Sequence, residues 1–375
     1  MGSSEKKYGA LLKKVYARGI ISLLFFIILA FFLYLPYFTD YFSTKTLNIY
    51  AFTEMIAPSV IEKFERETGV SVNIKYFQTN EELYAKLRIN QGDGYDIIVA
   101  SDYMLRILRE ENILQKIDCS KIASFHDLDP KLLRQHFDPE NNYSLPLAWC
   151  TYGMVYNKKL FKHDVDQLGL EYLFKDPYEM HKKKKVTGLY RICMVDDAKE
   201  AVMYAELYLF GKLKQLNQKE FKVIEDLLIR QKKWIESYAS SSLQYYLFSG
   251  IAQIAITSSS YMRKILEHTN EFGFKIPKEG SILVIENLAI PFHCKKSDLA
   301  HRFIDFTLSF PNALNSSSLY GYNPTNKKVY AHIKQEFLNN PNIFPDAETF
   351  ARLHMTQGDL PKKMLENIWL GVKFS

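Results

Sequence analysis

An α/β protein of two compact units, carried behind an N-terminal apolar helix, is the architecture this sequence predicts. Three observations predict it. A run of alternating strand and helix patterns begins at Leu47 and passes through three strands. A second such run begins near Leu189. Between the basic N-terminus and Asp40, Gly19 to Phe38 is almost entirely apolar. The length of 375 residues suits two compact units.

Leu47, Ile49 and Ala51 alternate with other residues as a strand does. A helix is expected from near Pro58, with Val60, Ile61 and Phe64 on one face and Gly69 as its C-terminal stop. Val70, Val72, Ile74 and Tyr76 alternate again. Thr79 and Glu82 have capping-box spacing for a helix that buries Leu83 and Leu87. Ile97 to Ala100 is a continuous apolar run, which reads as a central parallel strand covered on both faces. Ser101 or Asp102 then caps a third helix through Leu105 and Leu108. Three strands each followed by a helix make a doubly wound unit.

The polar stretch from Asp127 to Tyr143 breaks this rhythm. Leu145 to Asn157 is apolar without a helical period and reads as a strand crossing out of the first unit. His181 to Lys185 reads as a basic, solvated loop. In the second unit, Leu189 to Val195 is a strand, and Asp196 is placed to cap a helix that Gly211 ends. Asn217 opens a helix through Trp234. Ile251 to Thr257 and Ile282 to Ile290 are strands, and Ser297 caps a helix to Leu308. No tandem repeat or low-complexity tract is present.

Composition limits the partners. The net charge is +6, but Lys6, Lys7, Lys13, Lys14 and Arg18 against Glu5 place +4 of it in residues 1–18. The remaining +2 gives no electrostatic footprint for nucleic acid, so none is expected. Twenty helical residues span about 30 Å, the thickness of a hydrocarbon core. With basic residues before the apolar stretch and Asp40 after it, the positive-inside rule puts residues 1–18 in the cytoplasm and the body outside. No small-residue cleavage site is in view after the apolar run, which favours a retained membrane anchor over a cleaved signal; both readings export the body. Cys119, Cys150, Cys193 and Cys294 have neither metal nor redox spacing and read as small buried hydrophobes, with one disulfide compatible with an oxidising compartment.

The sequence has no nucleophile elbow, phosphate loop, dinucleotide fingerprint or zinc-protease motif, so neither catalysis nor a cofactor or metal is expected. Chemistry concentrates instead at the strand ends. Glu54 follows the first strand and Tyr103 the third, and open sheets bind ligands in the crevice outside those ends. Asp197 and Glu200 are three apart at a helix start and share a face. First-turn acids also complement the helix dipole, which accounts for that pair without any ligand.

From Leu47 to Glu366 the chain resembles the spermidine/putrescine-binding proteins of ABC transporters. The resemblance rests on ETGV at Glu67, GYDIIVAS at Gly94, ILQKIDCSKI at Ile113, the acidic run at Asp196, PKEG at Pro277, NLAIP at Asn287, GYNPTN at Gly321 and FPDAET at Phe344. It implies a two-lobed type II periplasmic-binding-protein fold. Lobe 1 would be residues 46–151 and 285–330; lobe 2 would be residues 152–284 and 331–375. It implies a monomer that captures polyamines in an acidic, aromatic cleft and delivers them to a permease in the membrane. By the same resemblance the cleft residues are Phe52, Thr53, Glu54, Ser101, Tyr103, Asp197, Glu200, Ser258, Val284, Glu286, Tyr322 and Gln357. The chain departs from the family pattern in several places. Phe52 stands for tryptophan and Glu286 for aspartate. Ser258 and Val284 stand for the two tryptophans that box the ligand, and Met55 for a further aromatic. An amine ligand remains the expectation. A different small organic cation, or a tethered sensor of the same fold, also fits the residues.

Overall fold

The computed structural model describes residues 18–35, 46–162, 165–183, 186–239, 242–355 and 360–375. Helix α1 (Arg18–Leu35) has a mean hydropathy of 2.4 and no buried residues; it is long and apolar enough to cross a membrane. Strands β1 (Thr46–Phe52), β2 (Ser71–Phe77) and β3 (Ile97–Ser101) alternate with α2 (Pro58–Thr68), α3 (Asn80–Asn90) and α4 (Asp102–Glu110). The long strand β4 (Ser144–Asn157) leads away to α5 (Glu171–Phe174), α6 (Pro177–Lys182), β5 (Ile192–Met194), α7 (Ala198–Phe210) and α8 (Gln218–Gln231). Then come β6 (Ile235–Tyr238), α9 (Leu243–Phe248), β7 (Ile254–Ser258), α10 (Ser259–Leu266) and β8 (Phe272–Lys275). Strand β9 (Ser281–Ala289) returns to the first set. It is followed by α11 (Ser297–Leu308), α12 (Phe310–Tyr320), β10 (Asn323–Pro324), α13 (Gln335–Leu338), α14 (Ala347–Phe350), β11 (Leu353–Met355) and α15 (Lys362–Phe374).

The strands follow the order β2-β1-β3-β9-β4-β7-β5-β6, with β8 and β10 on β4 and β11 on β9. Both ends of this path are parallel: β1 pairs with β2 and β3, and β5 with β6 and β7. The centre is antiparallel. Strand β4 pairs with β9 through Thr151 and with β7 from Tyr152 onward. Register then fixes where the two halves meet. Ser101, the last residue of β3, lies opposite Glu286, which lies opposite Ala148. Ser258, the last residue of β7, lies opposite Tyr152. The carboxyl ends of the two parallel sets therefore face each other across four residues of β4, and the crevice rule applies to both sets at one place.

Apolar faces hold each half. In the first, Phe64 of α2 packs edge-on against Phe303 of α11, beside Leu47, Ile49, Ile97 and Val99. In the second, Ile192, Met194 and Ile254 meet Val202 and Tyr204 of α7 and Leu228 of α8, and Ile368 and Val372 of α15 join them. Gly69 and Gly211, at φ 68° and 67°, end α2 and α7 in the left-handed conformation that glycine adopts without strain.

Four local expectations need correction. Asp197, not Asp196, caps α7. Asp197 is extended, and its carboxylate accepts the Glu200 N–H at 2.8 Å, whereas Asp196 pairs with Lys373 at 2.6 Å. Lys296 is the N-cap of α11, with Ser297 already helical. The basic stretch is not all loop. Asp176 accepts from the Tyr178 N–H, and Pro177 opens α6, which runs through His181 and Lys182; residues 184–185 lie outside the described residues. The second unit's strands are also shorter than their apolar text, because β5 begins only at Ile192 and β7 only at Ile254. All four cysteines are free thiols.

Candidate functional site

Where the two halves meet lies a cavity of about 390 Å³. Eight of the twelve expected residues line it: Phe52, Thr53, Ser101, Tyr103, Asp197, Glu200, Val284 and Glu286. They arrive by different routes. Phe52 ends β1 and Thr53 follows it; Ser101 ends β3 and Tyr103 lies in the first turn of α4. Val284 and Glu286 are alternate residues of β9 and so face one side of the sheet. Asp197 and Glu200 begin α7 in the opposite half.

Glu286 is the centre of the floor. Its Oε1 accepts the Ser101 hydroxyl at 2.8 Å, and Ser101 Oγ in turn accepts from the Asn80 amide at 2.9 Å. The other carboxylate oxygen, Oε2, is shielded from solvent and has no hydrogen-bond partner. Burial, with Asp102 nearby, pushes the Glu286 carboxyl up to about 8 against the help of Ser101. Glu200 is likewise pushed up to about 8, first by burial and then by Asp197, while the Tyr152 hydroxyl and Lys199 oppose the shift. Asp102, beneath the floor, is 1% exposed and raised to about 7 by burial; its Oδ2 also lacks a partner. Carboxyl groups held this high are short of a compensating positive charge.

Sequence reasoning missed four groups: Glu81, Tyr152, Asp102 and Lys199. Glu81 opens α3 just after β2, so the crevice rule applied to β1 and β3 also points to it. Its Oε1 accepts the Tyr103 hydroxyl at 3.1 Å. Tyr152 sits mid-strand, where apolar residues on both faces conceal which side chain enters the cavity. Lys199 lies between Asp197 and Glu200. Its ammonium is 3.2 Å from the centre of the Tyr103 ring and 3.9 Å from Glu81 Oε1, so it reaches across to the other half.

The remaining expected residues are elsewhere. Glu54 takes a positive φ of 61° and is 61% exposed at its side chain; its Oε2 pairs with Lys264 of α10 at 3.0 Å. Ser258 accepts the Tyr261 N–H at 3.2 Å and so caps α10. Tyr322 is buried, and its hydroxyl donates to the Met55 carbonyl at 2.8 Å, supporting a cavity-lining loop from behind. Gln357 lies outside the described residues. Among the described residues no group of His, Cys, Asp or Glu is arranged to hold a metal ion.

The chain is 27% identical to the spermidine/putrescine-binding periplasmic protein of Salmonella typhimurium, over 82% of this chain and 85% of that one. It is 28% identical to the putrescine/cadaverine-binding protein of Pseudomonas aeruginosa, over 88% and 94%. Among solved structures, the spermidine/putrescine ABC transporter substrate-binding protein of Streptococcus pneumoniae superposes with a TM-score of 0.73 at 27% identity, covering 88% of this chain and 99% of that one. Residues 59–345 match the family model of bacterial extracellular solute-binding proteins. With that match spanning both halves and the cavity between them, this chain belongs to the bacterial extracellular solute-binding protein family.

Proposed function

We propose that this protein captures a small amine of the polyamine class outside the cytoplasmic membrane and hands it to an ABC permease, without acting as an enzyme. The observation that carries the reading is the unpartnered Oε2 of Glu286, on the floor of a cavity where burial holds the Glu286 and Glu200 carboxyls well above their usual range. An ammonium group supplies both a donor and the missing charge, and charge-assisted hydrogen bonds in a desolvated site are the strong class. Phe52, Phe77 and Val284 offer apolar walls to a methylene chain. The spermidine/putrescine-binding relative in Salmonella and the putrescine/cadaverine-binding relative in Pseudomonas support the same class of ligand.

Residues 46–151 with 285–330, and 152–284 with 331–375, act in this reading as two lobes that close on the guest about β4 and β9. The helix Arg18–Leu35 retains the monomer at the membrane, which raises its effective concentration at the permease. Thermal unfolding of the detergent-solubilised full chain with putrescine, cadaverine, spermidine and spermine tests the proposal. A ligand at about 100 times its Kd stabilises by about 2.7 kcal/mol. Absence of a shift with all four amines rejects it.

A further inference from the structure

The cavity already contains an alkylammonium, and it belongs to the chain. The Lys199 side chain is 15% exposed. Its Nζ rests 3.2 Å from the Tyr103 ring centre, with Glu81 Oε1 3.9 Å away and Asp197 in the same wall. Tyr103 is fixed in this pose by its hydroxyl bond to Glu81. An aromatic face beside carboxylates is how proteins hold a substituted ammonium. Outside the cavity lining, Glu54 is paired with Lys264. Glu200 and Glu286 remain in the lining, and among the described residues neither has a lysine or arginine at ion-pair distance.

We propose that Lys199 is a specificity-determining residue, the resident cation of one of two ammonium subsites in this cavity. This inference rests on the amine-binding reading above. A guest with a single ammonium binds at Glu200 and Glu286 and leaves Lys199 in place. A guest with two or more must lift Lys199 away from Tyr103 and Glu81, so its apparent affinity is its intrinsic affinity multiplied by the fraction of time the subsite is vacant. Burial draws the Lys199 ammonium below its usual lysine range, while Glu81, Asp197, Asp102 and Glu200 oppose that shift; this is the balance of a cation held by charge in a dry place.

Isothermal titration of the full chain in detergent with putrescine and with n-butylamine, which share a four-carbon chain but differ by one ammonium, tests this. Lys199→Met keeps the length of the stem and removes the charge. It is expected to raise the preference for putrescine over n-butylamine by roughly tenfold, the factor of one competing charge–aromatic contact. Lys199→Arg keeps the cation and is expected to hold that preference within about threefold of wild type. A general field effect makes Lys199→Met tighten both amines equally, and that result overturns the inference. So does a loss of putrescine affinity, which assigns Lys199 to a purely structural role. If wild type binds an amine but the preference does not move, only the resident cation is rejected. If neither wild type nor either variant binds any amine, the amine-binding reading itself is rejected.

Discussion

Glu286 and Glu200 start from an ordinary value of 4.5 and stand at about 8 in the folded chain. Between those two values the folded protein holds protons that the unfolded chain has released. Stability of the ligand-free protein therefore falls as pH rises from about 5 to 8. Asp102, raised from 3.8 to about 7 by burial, adds the same sign. A bound ammonium reverses the balance by favouring the charged carboxylates. Amine affinity is thus expected to rise from pH 6 to pH 9, with net proton release on binding at pH 7; titration in buffers of different ionisation enthalpy measures it, and a flat profile contradicts it. Glu286→Gln removes the charge and keeps the shape. It is expected to weaken amine binding by about 1.5–3 kcal/mol, the range for a hydrogen bond to a charged group, and to lessen the pH slope of stability in the ligand-free state. Val284 lines the cavity where the resemblance expects an aromatic. Val284→Trp is expected to tighten amine binding by about 0.5–2 kcal/mol through a new cation–π contact.

Two helix starts separate stability from binding at the scale of the element. Asn217 caps α8 in a full capping box, accepting from the Glu220 N–H while Glu220 accepts from the Asn217 N–H at 2.9 Å. Asn217→Ala is expected to cost about 1 kcal/mol in denaturant unfolding and to leave amine affinity unchanged. Asp197 caps α7 by accepting the Glu200 N–H, and it also lines the cavity. Asp197→Ala is expected to cost a similar amount of stability and amine affinity as well, as read by titration beside the unfolding curve. The contrast shows what periodicity and capping make legible. Alternation and caps were enough to place β1 through α4 and to start α8 at Asn217. They did not show α10, α12 or α15, whose buried faces are defined by partners distant in sequence. Ile368 and Val372 of α15, for example, pack into the second half's core some 170 residues after Tyr204. The same limit governs the site. Strand-end residues such as Ser101 follow from the crevice rule, but the pairing of Glu54 with Lys264 depends on α10 arriving from the other half.

For the whole molecule, the two halves share a buried apolar cluster that includes Met104, Trp149, Met262 and Phe272, and they are joined as well by backbone pairing and by polar links. Backbone pairing of β4 with β9 and with β7 is buried and runs along β4 with one register shift between Pro146 and Ala148; in the proposed closure the halves move about it. The polar links are the ion pairs of Lys199 with Glu81, in the cavity, and Lys264 with Glu54, outside its lining, and Arg263, whose Nη1 donates to the carbonyls of Gly321 and Tyr322 at 3.0 and 3.2 Å. The Lys264–Glu54 pair is solvated, with side chains 35% and 61% exposed, so it contributes at most about 1 kcal/mol and weakens with salt. In the proposed closure, loosening that pair with salt shifts the ligand-free protein toward a more open form. A guest bound between Glu286 on one side and Glu200 on the other adds a link that is recessed and poorly screened. Raising the salt from 0.05 to 0.5 M is therefore expected to lengthen the distance between spin labels placed on α3 and α10 in the ligand-free protein. The amine-saturated protein is expected to keep its short distance over the same range. Equal lengthening in both states contradicts closure by the guest, because it places the force holding the halves together at the exposed ion pair rather than in the cavity.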